Sequence, residues 1–196
     1  MGSFRAGADR PASGYAKRLH RPGGMLVLFR LIIRHWISLP NTMTGANTNG
    51  GVLQTPRLCL RLWQDDDLLP YVALNADARV TEFLPGPVTP DMARQFFDTQ
   101  NGLYARHRCC FFAAELKSSG ELAGFIGMKY QDFAAPFAPC FEIGWRLGSR
   151  FWGLGLATEG ARAVVAYGFN ELGLDEIVSF TVPANAGRVG SWIASV

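Results

Sequence analysis

No stretch of the 196 residues supplies the roughly 20 consecutive apolar residues of a membrane-spanning helix. No G-x-x-x-x-G-K-[ST] run occurs either, which excludes a P-loop. Cysteine and histidine are scarce, with four and three copies. Cys59, Cys109, Cys110 and Cys140 offer no C-x-x-C spacing, so no zinc ribbon or thioredoxin-like motif is available, and no metal is expected. Each of the four lies in an apolar run and reads as a small buried hydrophobe of a reducing cytoplasm. A cysteine nucleophile needs a base beside it, and His107 near Cys109 is the one candidate pairing.

The body of the chain also lacks an excess of positive charge. Residues 1–50 carry seven Lys/Arg and one acid, whereas residues 51–196 carry twelve Lys/Arg and fifteen acids. The net charge of +3 therefore belongs to the N-terminal stretch, and the body presents no nucleic-acid surface. Residues 1–51 show no periodicity and read as a disordered or wrongly extended stretch, with Met43 as the expected start. Within it Met25–Leu39 is apolar but cut by Arg30, Arg34 and His35. A membrane is not expected as a partner; a short helix on a membrane surface or on the body is the alternative. Residues 52–196 form one domain, and 48% apolar residues suffice for a core.

Alternation at Leu58, Leu60 and Leu62 predicts a strand. Asp65–Asp67 then open a helix carrying Leu68, Val72 and Asn75. Thr89-Pro90-Asp91 starts a second helix that runs to Arg106 and buries Met92, Phe96 and Leu103. Strands over 109–116 and 122–131 form an antiparallel hairpin around Ser118–Glu121. Phe141–Leu147 is the next strand, where Gly144 marks a bulge or a close approach. A helix with Ala157, Ala161, Val164, Val165 and Gly168 on one face stops at Gly173, and residues 176–182 add a strand. The order is that of a mixed α/β sheet.

Between the Phe141–Leu147 strand and that helix lies Arg150-Phe-Trp-Gly153-Leu-Gly155-Leu-Ala157-Thr158-Glu159. Glycines at a helix start let backbone N–H groups approach an anion closely, and Arg150 adds charge at the mouth. Thr158 stands where a third glycine would be and the preceding hairpin is antiparallel, so a Rossmann unit is not expected.

The pattern Arg150-x-x-Gly153-x-Gly155, flanked by Glu142-Ile-Gly-Trp145 and Ala157-Thr-Glu159, resembles the signature of GNAT acetyltransferases. Phe169–Val178 and Val182-Pro-Ala-Asn185 resemble the family too, and Thr55-Pro-Arg-Leu58, Arg61 and Trp63-x-Asp65-x-Asp67 resemble its RimJ/RimL-like branch. The resemblance covers Leu53 to Asn185. It implies the GNAT fold, a mixed, mostly antiparallel sheet flanked by helices, and an acetyl group moved from acetyl-CoA to a primary amine. In such a protein Trp145, Arg146 and Leu147 pair with the pantetheine, while Arg150, Gly153, Leu154, Gly155, Leu156, Ala157 and Thr158 hold the pyrophosphate. Glu142 is the candidate base or a substrate-orienting group, and Asn185 helps to fix the cofactor or the strand end. The acceptor is a small-molecule or protein N-terminal amine, and a homodimer is compatible with the family.

The resemblance breaks after Asn185, where Arg188 replaces a Ser and no helical period leads to Val196. A last helix and strand are therefore expected to be missing. The same bases read in another frame allow a family-like tail, which points to a one-base deletion near Ala186. The alternatives to an acetyltransferase are a truncated, non-catalytic CoA-binding product, or a membrane-associated protein using residues 25–39.

Overall fold

The structure is a computed structural model that describes residues 15–21, 24–31, 51–83, 86–134, 138–182 and 184. Strand β1 is Tyr15–Arg21, β2 Gly24–Leu31, β3 Gly51–Gln54 and β4 Leu58–Arg61. Helices α1 (Leu68–Ala76), α2 (Ala78–Thr81) and α3 (Pro90–His107) follow. The chain continues through β5 (Phe111–Leu116), β6 (Leu122–Gln131), β7 (Cys140–Leu147), α4 (Leu156–Asn170) and β8 (Ile177–Thr181). The strands form one sheet in the order β1-β2-β8-β7-β6-β5-β4-β3, and every pair is antiparallel except β7 with β8. This is the mixed, mostly antiparallel α/β sheet expected.

Alternation along the strands divides the core between two faces. Phe112, Ile126, Met128, Ile143 and Ile177 belong to one cluster with Val164 and Val165 of α4. Phe111 and Phe125 belong to the other, with Tyr71 of α1 and Ala93 and Phe97 of α3. Trp63 anchors this second cluster: its ring stacks on Phe97 at 4.3 Å and its indole N–H donates to the Phe111 carbonyl at 2.7 Å. Arg61 ties β4 to the same side, forking onto both Asp67 carboxylate oxygens at 2.7 and 2.8 Å and onto Glu115 at 2.6 Å. Those hydrogen bonds, from Asp67 above all, raise its pKa against the opposing effect of burial. Removing one partner of such a buried group costs about 3–5 kcal/mol.

Thr89 caps α3 by accepting from the Met92 N–H at 3.2 Å, and Pro90 opens the helix as expected. The buried face, however, is Ala93, Phe97 and Gln100, while Met92 is half exposed and Phe96 and Leu103 are partly buried. The face is turned by one residue because the Phe97 ring, not Phe96, stacks parallel on Trp63. Asp67 is drawn into the Arg61 ion pair and makes no side-chain cap bond to α1. The strand at Gly144 has no bulge: pairing with β6 is continuous from Gly124–Leu147 to Gln131–Cys140. Gly144 instead makes room for a ring, since a Cβ there would lie 3.0 Å from Phe111.

The largest departure from expectation lies before residue 51. Residues 15–21 and 24–31 are strands, neither disordered nor a helix, and β2 runs along β8 from Val27–Thr181 to Leu31–Ile177. An unaccompanied β8 edge would present a row of unpaired N–H and C=O groups, which a second strand satisfies. Part of the apolar run Met25–Leu39 is thus in the sheet. No described helix is long and apolar enough to cross a membrane. The expected break after Asn185, and Asn185 itself, lie outside the described residues.

A chain started at Met43 tests the N-terminal boundary. Because β2 borders β8, its removal is expected to lower the thermal midpoint. An unchanged midpoint in a melting experiment would mark residues 1–42 as dispensable.

Candidate active site

The site begins where two neighbouring strands part. β7 is held to β6 along its whole length, but it meets its parallel neighbour β8 at a single pair, Glu142–Val178. Beyond Glu142–Val178 no further β7–β8 pair forms among the described residues, so the two strands part towards Leu147.

Beyond Leu147 the chain makes one 3-10 turn, Ser149–Phe151, and then the glycine loop. The Trp152 indole donates to the Leu147 carbonyl at 2.8 Å and closes the end of β7. Gly153 and Gly155 both have φ of 74°, a backbone conformation that side-chain-bearing residues rarely adopt. Gly155 caps α4, its carbonyl accepting from the Glu159 N–H at 3.0 Å. The N–H groups of Gly155, Leu156, Ala157 and Thr158 donate to no acceptor among the described residues. These orphan donors, at the positive end of a 15-residue helix, make an anion seat.

Strand edge and loop share a cavity of about 700 Å³. Trp145, Arg146 and Leu147 line it from β7, and Gly153, Gly155, Leu156, Ala157 and Thr158 line it from the loop and α4. Arg79, Val80 and Phe83 border it from α2 and just beyond, with Phe151 and Trp152 between. Among the described residues the wall holds two arginines and no carboxylate. Arg146 donates to the Asn75 Oδ1 at 2.7 Å and stands 5.3 Å over the Phe125 ring. Burial lowers its pKa. Asp77 anchors the α2 corner to the start of the loop, accepting from Arg79 at 2.8 Å and from the Ser149 hydroxyl. Those bonds, from Arg79 first, hold its carboxyl well below the usual range.

Of the ten residues expected around a cofactor, eight line this cavity. Arg150 does not: its guanidinium pairs with Glu121 and lies 4.7 Å over the Phe151 ring. Leu154 is 53% exposed and turned away from the wall. Glu142 lies outside the wall as well, on β7 at the point where β7 and β8 part. It accepts from Gln131 at 2.5 Å, with the Lys129 ammonium at 3.8 Å. The α2 side of the cavity was not anticipated, since Arg79, Val80 and Phe83 reach it only through the docking of α1 and α2.

The cysteines take no part in the site. Burial pushes the Cys109 thiol up to about 12, Cys140 to about 11, and Cys110 higher still. His107 stacks on Tyr130 at 4.4 Å. Among the described residues no group of three His, Cys, Asp or Glu side chains could hold a metal ion. Cys109 and Cys110 are accordingly expected to resist a thiol reagent in the native protein at pH 8 and to react after unfolding. Rapid native labelling of either, read by mass spectrometry, would show a reactive thiol.

Comparison with known proteins agrees with this geometry. The model of the acetyltransferase (GNAT) domain matches residues 57–190. An uncharacterized N-acetyltransferase, p20 of Bacillus licheniformis, is 30% identical over 70% of this chain and 76% of its own length. A short segment, 22% of the chain and 19% of the relative, is 50% identical to an FsC-acetyl coenzyme A-N(2)-transacetylase of Aspergillus fumigatus. The solved acetyltransferase of Agrobacterium tumefaciens superposes with a TM-score of 0.60 at 25% identity, covering 81% of this chain and 83% of that one. With matching sequence signature, sheet and glycine loop, the chain belongs to the GNAT acetyltransferase family.

Proposed function

We propose that the protein is an N-acyltransferase that moves an acetyl group from acetyl-CoA to a primary amine. One observation carries this reading: a parting pair of strands and an αL-glycine helix start border the same acid-free cavity. The pyrophosphate would sit on the free N–H groups of Gly155 to Thr158, and the pantetheine would lie along β7 where Trp145 to Leu147 line the cavity. Acetyl-CoA supplies an activated thioester. In the transfer the amine forms the new N–C bond, the C–S bond breaks, and the thiolate leaves. A backbone N–H of β7 would stabilise the developing oxyanion. The relative named for acetyl coenzyme A supports the choice of donor.

Glu142 is the proposed base, because it stands at the one pair that joins β7 and β8, the narrow end of the gap. There it would accept the proton that the amine loses, directly or through water. Asn185 keeps its proposed role in fixing the cofactor or the strand end. The RimJ/RimL-like branch is proposed on Thr55-Pro-Arg-Leu58, Arg61 and Trp63-x-Asp65-x-Asp67. The acceptor is a small-molecule amine or a protein N-terminal amine.

Gly155→Val tests the anion seat. A β-branched residue resists φ of 74° and crowds the loop. Calorimetric titration is expected to show CoA binding by the native chain and none by the variant. Retained affinity would remove the loop from the site.

Glu142→Gln tests the chemistry. It should lower kcat by about 10²-fold or more, in line with loss of a general base, while CoA affinity is kept. A thiol-release assay against a panel of amines measures both this and the reaction itself. An unchanged kcat would leave Glu142 a purely structural group, and binding without turnover by the native chain would mark a non-catalytic CoA-binding domain.

A further inference from the structure

Behind the glycine loop, outside the cavity wall, stands a second cluster. Thr55 and Arg57 lie in the connection between β3 and β4, about a hundred residues before the loop in sequence. The Arg57 Nε donates to Glu159 Oε2 at 2.6 Å, and its backbone N–H donates to Oε1 at 2.9 Å. The buried Thr55 hydroxyl donates to the same Oε1 at 2.5 Å. The Arg57 Nη1 donates to the Leu154 carbonyl at 2.8 Å. A Cβ built on Gly155 would find Arg57 Nη2 at 3.5 Å.

We propose that Arg57 is a positioning residue of the anion loop, which aims the Gly155 N–H into the cavity and keeps the Glu159 carboxylate out of it. The first part follows from peptide geometry. In a planar trans peptide the carbonyl and the N–H point in opposite directions. A guanidinium that grips the Leu154 carbonyl from behind therefore turns the Gly155 N–H to the other side, where the loop borders the cavity. No other described group bonds that carbonyl.

The second part follows from charge. Glu159 lies in the first turn of α4, where a carboxylate suits the helix dipole but would repel an incoming anion. Both its oxygens are engaged by Thr55 and Arg57. Burial opposes its ionisation, and these bonds outweigh burial, so its carboxyl lies below the ordinary value. The charge is held, and neutralised, on the side away from the orphan N–H groups. Arg57 is itself half exposed, and an exposed ion pair adds little to stability. Its effect is thus on orientation, and it should appear in ligand affinity rather than in the melting temperature.

This inference rests on reading the loop as a pyrophosphate seat, and the test separates the two. CoA and pantetheine, which lacks the pyrophosphate, are titrated into the full-length native chain and into Arg57→Ala, Arg57→Gln and Arg57→Lys, each with its melting curve. Native CoA binding supports the seat. Both the Ala and Gln variants should then bind CoA about 10- to 100-fold more weakly, as when a supporting partner of a ligand-binding group is lost. Pantetheine affinity and thermal midpoint should be nearly unchanged. Arg57→Lys should stay weak for CoA, because one ammonium cannot reproduce the guanidinium's fork onto carbonyl and carboxylate. Native-like CoA affinity in the Ala and Gln variants would overturn the role of Arg57 while leaving the seat in place. Equal losses for CoA and pantetheine, together with a large fall in midpoint, would make Arg57 a structural residue. No CoA binding by the native chain would overturn the seat and the positioning role together.

Discussion

Everything in the site depends on how little β7 and β8 share. One pair, Glu142–Val178, joins them, while β6 holds β7 along its full length. A strand fixed along one side keeps its geometry while its other side borders the space that opens. The loop, the start of α4 and the α2 corner all border the space that this parting opens. The same arrangement explains why Trp145, Arg146 and Leu147 can belong at once to a rigid sheet and to a cavity wall.

Around this gap the protein uses tethers of different kinds. Hydrophobic packing of α4 on β6 and β7 fixes the helix whose N-terminus faces the cavity. Polar contacts then set the finer geometry: Trp152 on the Leu147 carbonyl, Arg146 on Asn75, Ser149 on Asp77. Each bond links an element of the wall to one beside it. A partly buried arginine with an amide partner and an aromatic face is costly to desolvate unless its remaining donors are used. The acid-free cavity is where an anionic group would use them.

The glycine loop was readable from sequence because its signals are local. Glycine spacing, the helical period from Ala157 to Gly168 and the hairpin before them each lie within some 20 residues, and the structure places them as expected. What escaped was decided by contacts far apart in the chain. Phe96 and Phe97 are adjacent, so the helical period alone left the face of α3 one residue uncertain until Trp63 selected Phe97. Gly144 could not be assigned to a ring or to a bulge without Phe111. Arg150 matched the signature, yet Glu121 on the neighbouring hairpin claims it. The four residues of β3 are too few to show a period within a Gly- and Asn-rich surrounding. The hairpin of β1 and β2 was masked by basic residues that break the apolar pattern.

That hairpin also bears on how the chain reaches its fold. β1 and β2 are separated by two residues and can pair as soon as they are made. The partner of β2, however, is β8, and Leu31 meets Ile177 across about 150 residues of intervening chain. β1 and β2, made before the other described strands, must therefore wait for β8. Closing so long a loop is an entropic cost met only after β3 to β7 have already assembled, so docking of the hairpin is expected to be a late step. During that interval β2 is an edge strand open to a second chain, and expression temperature and protein concentration will set how often it finds the wrong partner.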